Sequence, residues 1–124
     1  MAKRIGLTYE QKIINALKKL PNPLEDKRHH LKIYFDDSRA RSNQGRFNHI
    51  ANQRHGLRPS DIERIRRYIK TCIFKKDLER SETYNIYIRR NNISEEYIKI
   101  SVKISLNEPD IAVVKTIYIT RVIK

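Results

Sequence analysis

Four histidines give the first indication of chemistry, because the imidazole titrates closest to neutral pH. His29 and His30 follow Asp26-Lys27-Arg28 and precede an alternating segment, and they read as exposed loop histidines. His49 and His55 frame the stretch His49-Ile50-Ala51-Asn52-Gln53-Arg54-His55-Gly56. Residues six apart on an ideal helix point in directions about 120° different. The two share one site only if the helix ends before His55, and Gly56 offers that ending. Several chemistries lack their residues. There is no His-Glu-x-x-His pair, and Asp36-Asp37 alone is a weak carboxylate pair for Mg²⁺. No Gly-x-Ser-x-Gly elbow and no phosphate loop occur. Cys72 is the only cysteine. It forms no internal disulfide, the usual structural zinc site lacks its ligands, and the thiol reads as buried and structural. No metal and no cofactor are expected. Metal-free RNA cleavage needs less: a general base for the 2′-hydroxyl, a general acid for the leaving oxygen, and a cation or donor for the charged phosphorane.

The elements that must position such groups follow from punctuation and period. Thr8 caps a helix to about Leu20, with Ile13, Leu17 and Leu20 on one face and Pro21 beyond its end. Pro21-Asn22-Pro23 is a connector. Leu31, Ile33 and Phe35 alternate in a short strand over 31–36. Residues 37–45 form a polar, Arg-rich loop, and Arg46 to His55 a short helix anchored by Phe47 and Ile50. Ser60 caps a further helix, with Glu63 completing a capping box and Ile62, Ile65 and Ile69 as its apolar face. Phe74 to Glu82 is a polar connection. Three strands follow at Tyr84–Arg90, Tyr97–Leu106 and Ala112–Val122, with turns around Asn91-Asn92 and Asn107-Glu108-Pro109-Asp110. The expected fold class is α+β: N-terminal helices packed on one face of a three- to four-stranded antiparallel sheet. The chain reads as one domain over 1–124, helical over about 8–75 and sheet over about 83–123, with a fourth strand at 31–36.

The strand faces are the most informative pattern. Ile98, Ile100, Val102, Ile104 and Leu106 alternate with Tyr97, Lys99, Ser101, Lys103 and Ser105. Ile86 and Ile88 oppose Asn85, Tyr87 and Arg89, and Ile117 and Ile119 oppose Thr116, Tyr118 and Thr120. Each strand therefore has one apolar side and one polar-aromatic side. An ordinary wet sheet face would look similar. The tyrosines tilt the reading, because rings stack on unpaired bases while cations meet phosphates. Lys115 breaks the pattern by falling on the Ile117 side, which places it at the sheet margin or on a bulge.

Charge points the same way. The 27 Lys plus Arg against 14 Asp plus Glu give a net +13. Residues 1–80 hold 20 of the basic side chains against 9 acidic ones. A polyanionic partner is the simplest account of that excess. No long amphipathic helix with a wide apolar face argues for a membrane surface, and no apolar run has the length of a span or a signal peptide. A cytoplasmic location is expected.

The order of basic helices and then an antiparallel sheet resembles the barnase/EndoU/colicin/RelE-like nuclease superfamily, nearest its phage and mobile-element branch. The segments that carry the resemblance are Arg46-Phe47-Asn48-His49-Ile50 with Arg54-His55-Gly56-Leu57, then Thr83-Tyr84-Asn85-Ile86-Tyr87, and Val114-Lys115-Thr116-Ile117-Tyr118-Ile119-Thr120. Together they span roughly residues 30–124. The resemblance implies a metal-independent ribonuclease, toxin-like or phage-encoded, with room for a cognate inhibitor protein. It puts catalytic roles on His49 or His55, with Lys115, Thr116 and Tyr118 acting on the phosphate. Arg46, Arg54, Tyr87, Arg89, Lys99 and Lys103 would hold the nucleic acid, expected to be RNA. The chain departs from the pattern in the spacing of His49 and His55; if only one points inward, Tyr87 or Lys99 would supply the second proton function. A non-catalytic nucleic-acid-binding protein is the alternative, and a docking factor for an acidic protein is a third reading.

Overall fold

The computed structural model describes residues 8–21, 23–35, 56–91, 93 and 95–123. Helix α1 spans Tyr9–Lys18 and helix α2 spans Pro59–Tyr68, continued by a single 3₁₀ turn at Ile69–Thr71. The strands are β1 (Leu24–Asp26), β2 (Leu31–Tyr34), β3 (Ile73–Lys76), β4 (Thr83–Arg89), β5 (Tyr97–Lys103) and β6 (Ile111–Thr120). They form one six-stranded mixed sheet in the order β1-β2-β6-β5-β4-β3.

Helix α1 starts where Thr8 accepts from the N–H of Gln11 while the Gln11 side chain accepts from the N–H of Thr8. Both helices turn apolar stripes inward. Ile13 and Leu17 of α1 and Ile62 and Ile65 of α2 join Ile86, Ile98, Ile100, Val102 and Ile117 of the sheet in one core. Ile100 is fully buried there, and truncation of such a side chain to Ala costs about 2–5 kcal/mol. The hydroxyl of Tyr9 donates to the carbonyl of Leu57 and ties α1 to the start of α2.

The α+β class holds, with two departures in the sheet. It has six strands rather than three or four, and it is not purely antiparallel, because β2 pairs parallel to β6. That pairing is local to neither partner: Lys32 donates to the carbonyl of Asp110 at 2.8 Å across most of the chain. The segment read as a polar connection from Phe74 begins inside β3, which pairs with β4 in spite of its lysines. Strand β1 is only three residues long, too short for an alternation to register. Helix α2 begins at Pro59, not Ser60. Pro suits the first helical position, and Asp61, rather than Glu63, accepts from the Arg58 N–H at 2.8 Å. Strand β5 ends at Lys103, leaving Leu106 exposed. The helix expected over Arg46 to His55 lies outside the described residues.

The sheet is strongly curled. Strands β1 and β3 are its two edges, five strand spacings apart, or about 24 Å in a flat sheet. Yet Asp26 at the end of β1 lies 3.8 Å from the Sγ of Cys72, the residue before β3. The ring of His29 stacks on Phe74 of β3 with centroids 4.9 Å apart. The two edges thus meet along a seam. His29 is half-buried at that seam instead of free in a loop, whereas His30 is exposed.

Candidate functional site

Register decides which side chains share the face away from the isoleucines. Across β4, β5 and β6 the pairs run Arg89–Tyr97–Thr120, Tyr87–Lys99–Tyr118 and Asn85–Ser101–Thr116, and Thr83 pairs with Lys103. Lys99 stands at the middle of the second row. Its Nζ lies 5.8 Å from the ring centroid of Tyr87 and 5.2 Å from that of Tyr118. Partial burial pulls the Lys99 ammonium down, but its hydrogen bonds and charge interactions with Tyr118 and Tyr87 outweigh this and hold it above 10.5. At neutral pH Lys99 is therefore a fixed cation and not a proton acceptor.

The irregular Lys115 is explained by a β-bulge. Pairing runs Ser101 to Thr116 and then Val102 to Val114, so the register shifts at Lys115. Bulges re-aim side chains. Here the Nζ of Lys115 crosses β5 and donates to the Oγ1 of Thr83 at 3.5 Å, which carries it to the row of Lys103.

A chain of hydrogen bonds stiffens this face. Ser101 donates to the Oδ1 of Asn85 at 2.7 Å, and the Nδ2 of Asn85 donates to Asp77 at 3.1 Å. Asp77 also accepts from the N–H groups of Glu79 and Arg80, each at 2.9 Å. The Glu79 N–H foremost, with the Asn85 amide and the Arg80 N–H, holds this carboxyl below its ordinary 3.8.

Of the expected site residues, Tyr87, Arg89, Lys99, Lys103, Lys115, Thr116 and Tyr118 lie on this face. Arg89 and Lys103 are exposed, and Lys99, Lys115, Thr116 and Tyr118 are half-buried. Tyr87 is 1% exposed, so its ring supports Lys99 from below and offers no open face. Arg46, His49, Arg54 and His55 lie outside the described residues. Asn85 and Ser101 were legible as members of the face, whereas Thr83 was not, because the strand was expected to begin at Tyr84; the bonding of all three depends on register across strands.

Additional basic surface flanks the sheet. Arg64 of α2 lays its guanidinium 4.2 Å over the Tyr68 ring and donates to the carbonyl of Arg89. A groove of about 320 Å³ between α1 and α2 is lined by Lys12, Lys19 and Arg66, with Glu63 as its acid. It supplies positive charge without aromatic rings.

One cluster had no signal in the sequence. Asp26, His29 and Cys72 come together at the seam. Burial, then the charge and hydrogen bonding of Asp26, push the Cys72 thiol up to about 12. It is protonated at neutral pH, and its Sγ donates to Asp26.

No protein-family model, no curated protein and no solved structure matches this chain.

Proposed function

We propose that the protein binds single-stranded RNA on the Tyr87–Lys99–Tyr118 face. One observation carries this reading: the Lys99 ammonium sits between two tyrosine rings, on a face that Lys103, Lys115 and Arg89 surround with further positive charge. Lys99 takes a phosphate, and the half-exposed Tyr118 takes a base. Arg46 and Arg54, which lie outside the described residues, are proposed as further phosphate contacts. The net charge of +13 brings the polyanion in.

Metal-independent cleavage is the second reading, and the same row favours it. A fixed ammonium beside the Tyr118 hydroxyl, one row from Thr116, is suited to stabilising a charged phosphorane. The acid and base are then His49 and His55.

The experiment is titration of labelled single-stranded RNA at several salt concentrations, with cleavage followed in the same tubes in EDTA. Lys99→Met is expected to weaken binding on every sequence and to lower the salt slope by about one. Tyr118→Ala is expected to cost about 1–3 kcal/mol of affinity. Cleavage lost in His49→Ala or His55→Ala with affinity kept supports the second reading. Binding without cleavage leaves the first alone, and no effect of Lys99→Met sinks both.

A further inference from the structure

Asp26 is a buried carboxylate whose surroundings are unusual. Its Oδ1 accepts from the N–H groups of Arg28 at 3.1 Å and His29 at 3.3 Å, which fixes the carboxylate plane. Its Oδ2 points at two classical metal-ligating atoms: the Nδ1 of His29 at 2.7 Å and the Sγ of Cys72 at 3.8 Å. The Sγ and Nδ1 lie 4.0 Å apart. Among the described residues, His29 is the one ion-pair partner that Asp26 has.

We propose that Asp26, His29 and Cys72 bind a divalent transition-metal ion, best matched by Zn²⁺, which staples the two edges of the curled sheet together. The donor set is one carboxylate oxygen, one imidazole nitrogen and one sulfur, a combination that zinc takes readily. In a tetrahedral zinc site the sulfur lies about 3.6 Å from its oxygen and nitrogen neighbours, and those two lie about 3.3 Å apart. The two sulfur distances need to close by a few tenths of an ångström. The Asp26–His29 contact needs to open by a little more, as its hydrogen bond gives way to two metal bonds.

The supports that ligands need are in place. The turn N–H groups hold the Asp26 carboxylate, and Phe74 backs the His29 ring and is itself stacked on Tyr84 at 5.4 Å. Such outer contacts orient ligands and raise affinity. The 3₁₀ turn sets Cys72 in place, with its N–H donating to Ile69 at 3.2 Å. On binding, Cys72 gives its sulfur proton to solvent and His29 binds as the neutral ring. Thiolate and carboxylate then balance the two charges of the ion. A water completes the tetrahedron, and His29, whose side chain is 24% accessible, is the ligand that reaches solvent. The cluster lies at the seam, on the side of β3 that faces the core, and is independent of the Lys99 row.

The test uses the full chain stripped with a chelator and titrated with Co²⁺, then Zn²⁺. Because Cys72 is the only cysteine, a sulfur-to-cobalt charge-transfer band reports this residue and no other. One equivalent of Co²⁺ is expected to produce that band, and Zn²⁺ to remove it and raise the unfolding midpoint. His29→Ala is expected to weaken cobalt binding 10–100-fold or more. Cys72→Ala is expected to lose the band and the zinc-dependent midpoint shift. If Cys72→Ala does not fold, Asp26→Asn serves in its place, since its Oδ1 keeps the turn contacts. No band and no midpoint shift in the folded wild-type chain would overturn the proposal. So would a zinc-dependent shift that survives in folded Cys72→Ala or Asp26→Asn, because it would place the ion elsewhere.

Discussion

Asp61 opens α2 by accepting from the N–H of Arg58, and Asp26 closes the β1–β2 turn by accepting from those of Arg28 and His29. Both carboxylates are buried, Asp61 at 3% and Asp26 at 1% exposure. What each faces next is different. Asp61 meets the fork of Arg90 in two bonds of 2.9 Å, and Arg90 goes on to the carbonyl of Gly56 at 3.1 Å and to Glu96 at 3.4 Å. Asp26 meets an imidazole and a thiol, groups that can be neutral. The contrast teaches how a buried charge is kept. A permanent guanidinium makes a fixed structural anchor, whereas soft, titratable neighbours make a site whose charge is completed from outside.

The largest effect tests the anchor. Arg90→Ala leaves the Asp61 carboxylate buried without its cation, and it is expected to destabilise the fold by about 3–5 kcal/mol in urea denaturation. Asp61→Leu combined with Arg90→Met removes both charges and is expected to cost less than either single change. A loss below about 1 kcal/mol in Arg90→Ala would mean that this pair anchors nothing, and the contrast with Asp26 would collapse.

Asp26→Asn comes next. In metal-free protein it is expected to cost about 1–2 kcal/mol, because the turn bonds to Oδ1 persist and no fixed cation is orphaned. A loss equal to that of Arg90→Ala would make the two carboxylates alike. Adding Zn²⁺ sharpens the comparison, since wild type is expected to gain stability and Asp26→Asn to gain none.

The two carboxylates also mark where the sequence stopped being legible. Period-two alternation placed Ile98, Ile100 and Val102 inside and Lys99 and Ser101 outside, because that pattern is a local property of each strand. Helix α1 was equally local, with Thr8 before it and Pro21 after it. The parallel pairing of β2 with β6 and the meeting of the sheet edges are set by contacts between distant segments, and no local rule encodes them. His29 therefore read as a loop residue and Cys72 as a lone thiol, although the structure brings them within 4.0 Å. Lys115 lies between these cases: its misfit in the alternation was visible, but only the opposite strand shows that a bulge turns it toward Thr83.

A third carboxylate gives the smallest effect and completes the series. Asp77 is held by backbone N–H groups and the Asn85 amide, and among the described residues its hydrogen bonds involve neither a guanidinium nor a thiol. Its folded pKa lies below the ordinary 3.8, chiefly through the Glu79 N–H. The folded state therefore binds fewer protons than the unfolded chain around that pH, so this contribution is complete above the unfolded value and is lost as pH falls through the folded one. Asp77→Asn keeps the side-chain shape and most of the turn but cannot ionise. The variant is expected to melt slightly below wild type at neutral pH, with the gap closing as the pH is lowered past the ordinary carboxylate range. Lys99 contributes least among the groups that lower Asp77, so the same narrowing is expected in a Lys99→Met background. A gap that stays constant with pH would show that the carboxylate acts by shape alone, and the ordering of the three by the charge beside them would fail at its weakest member.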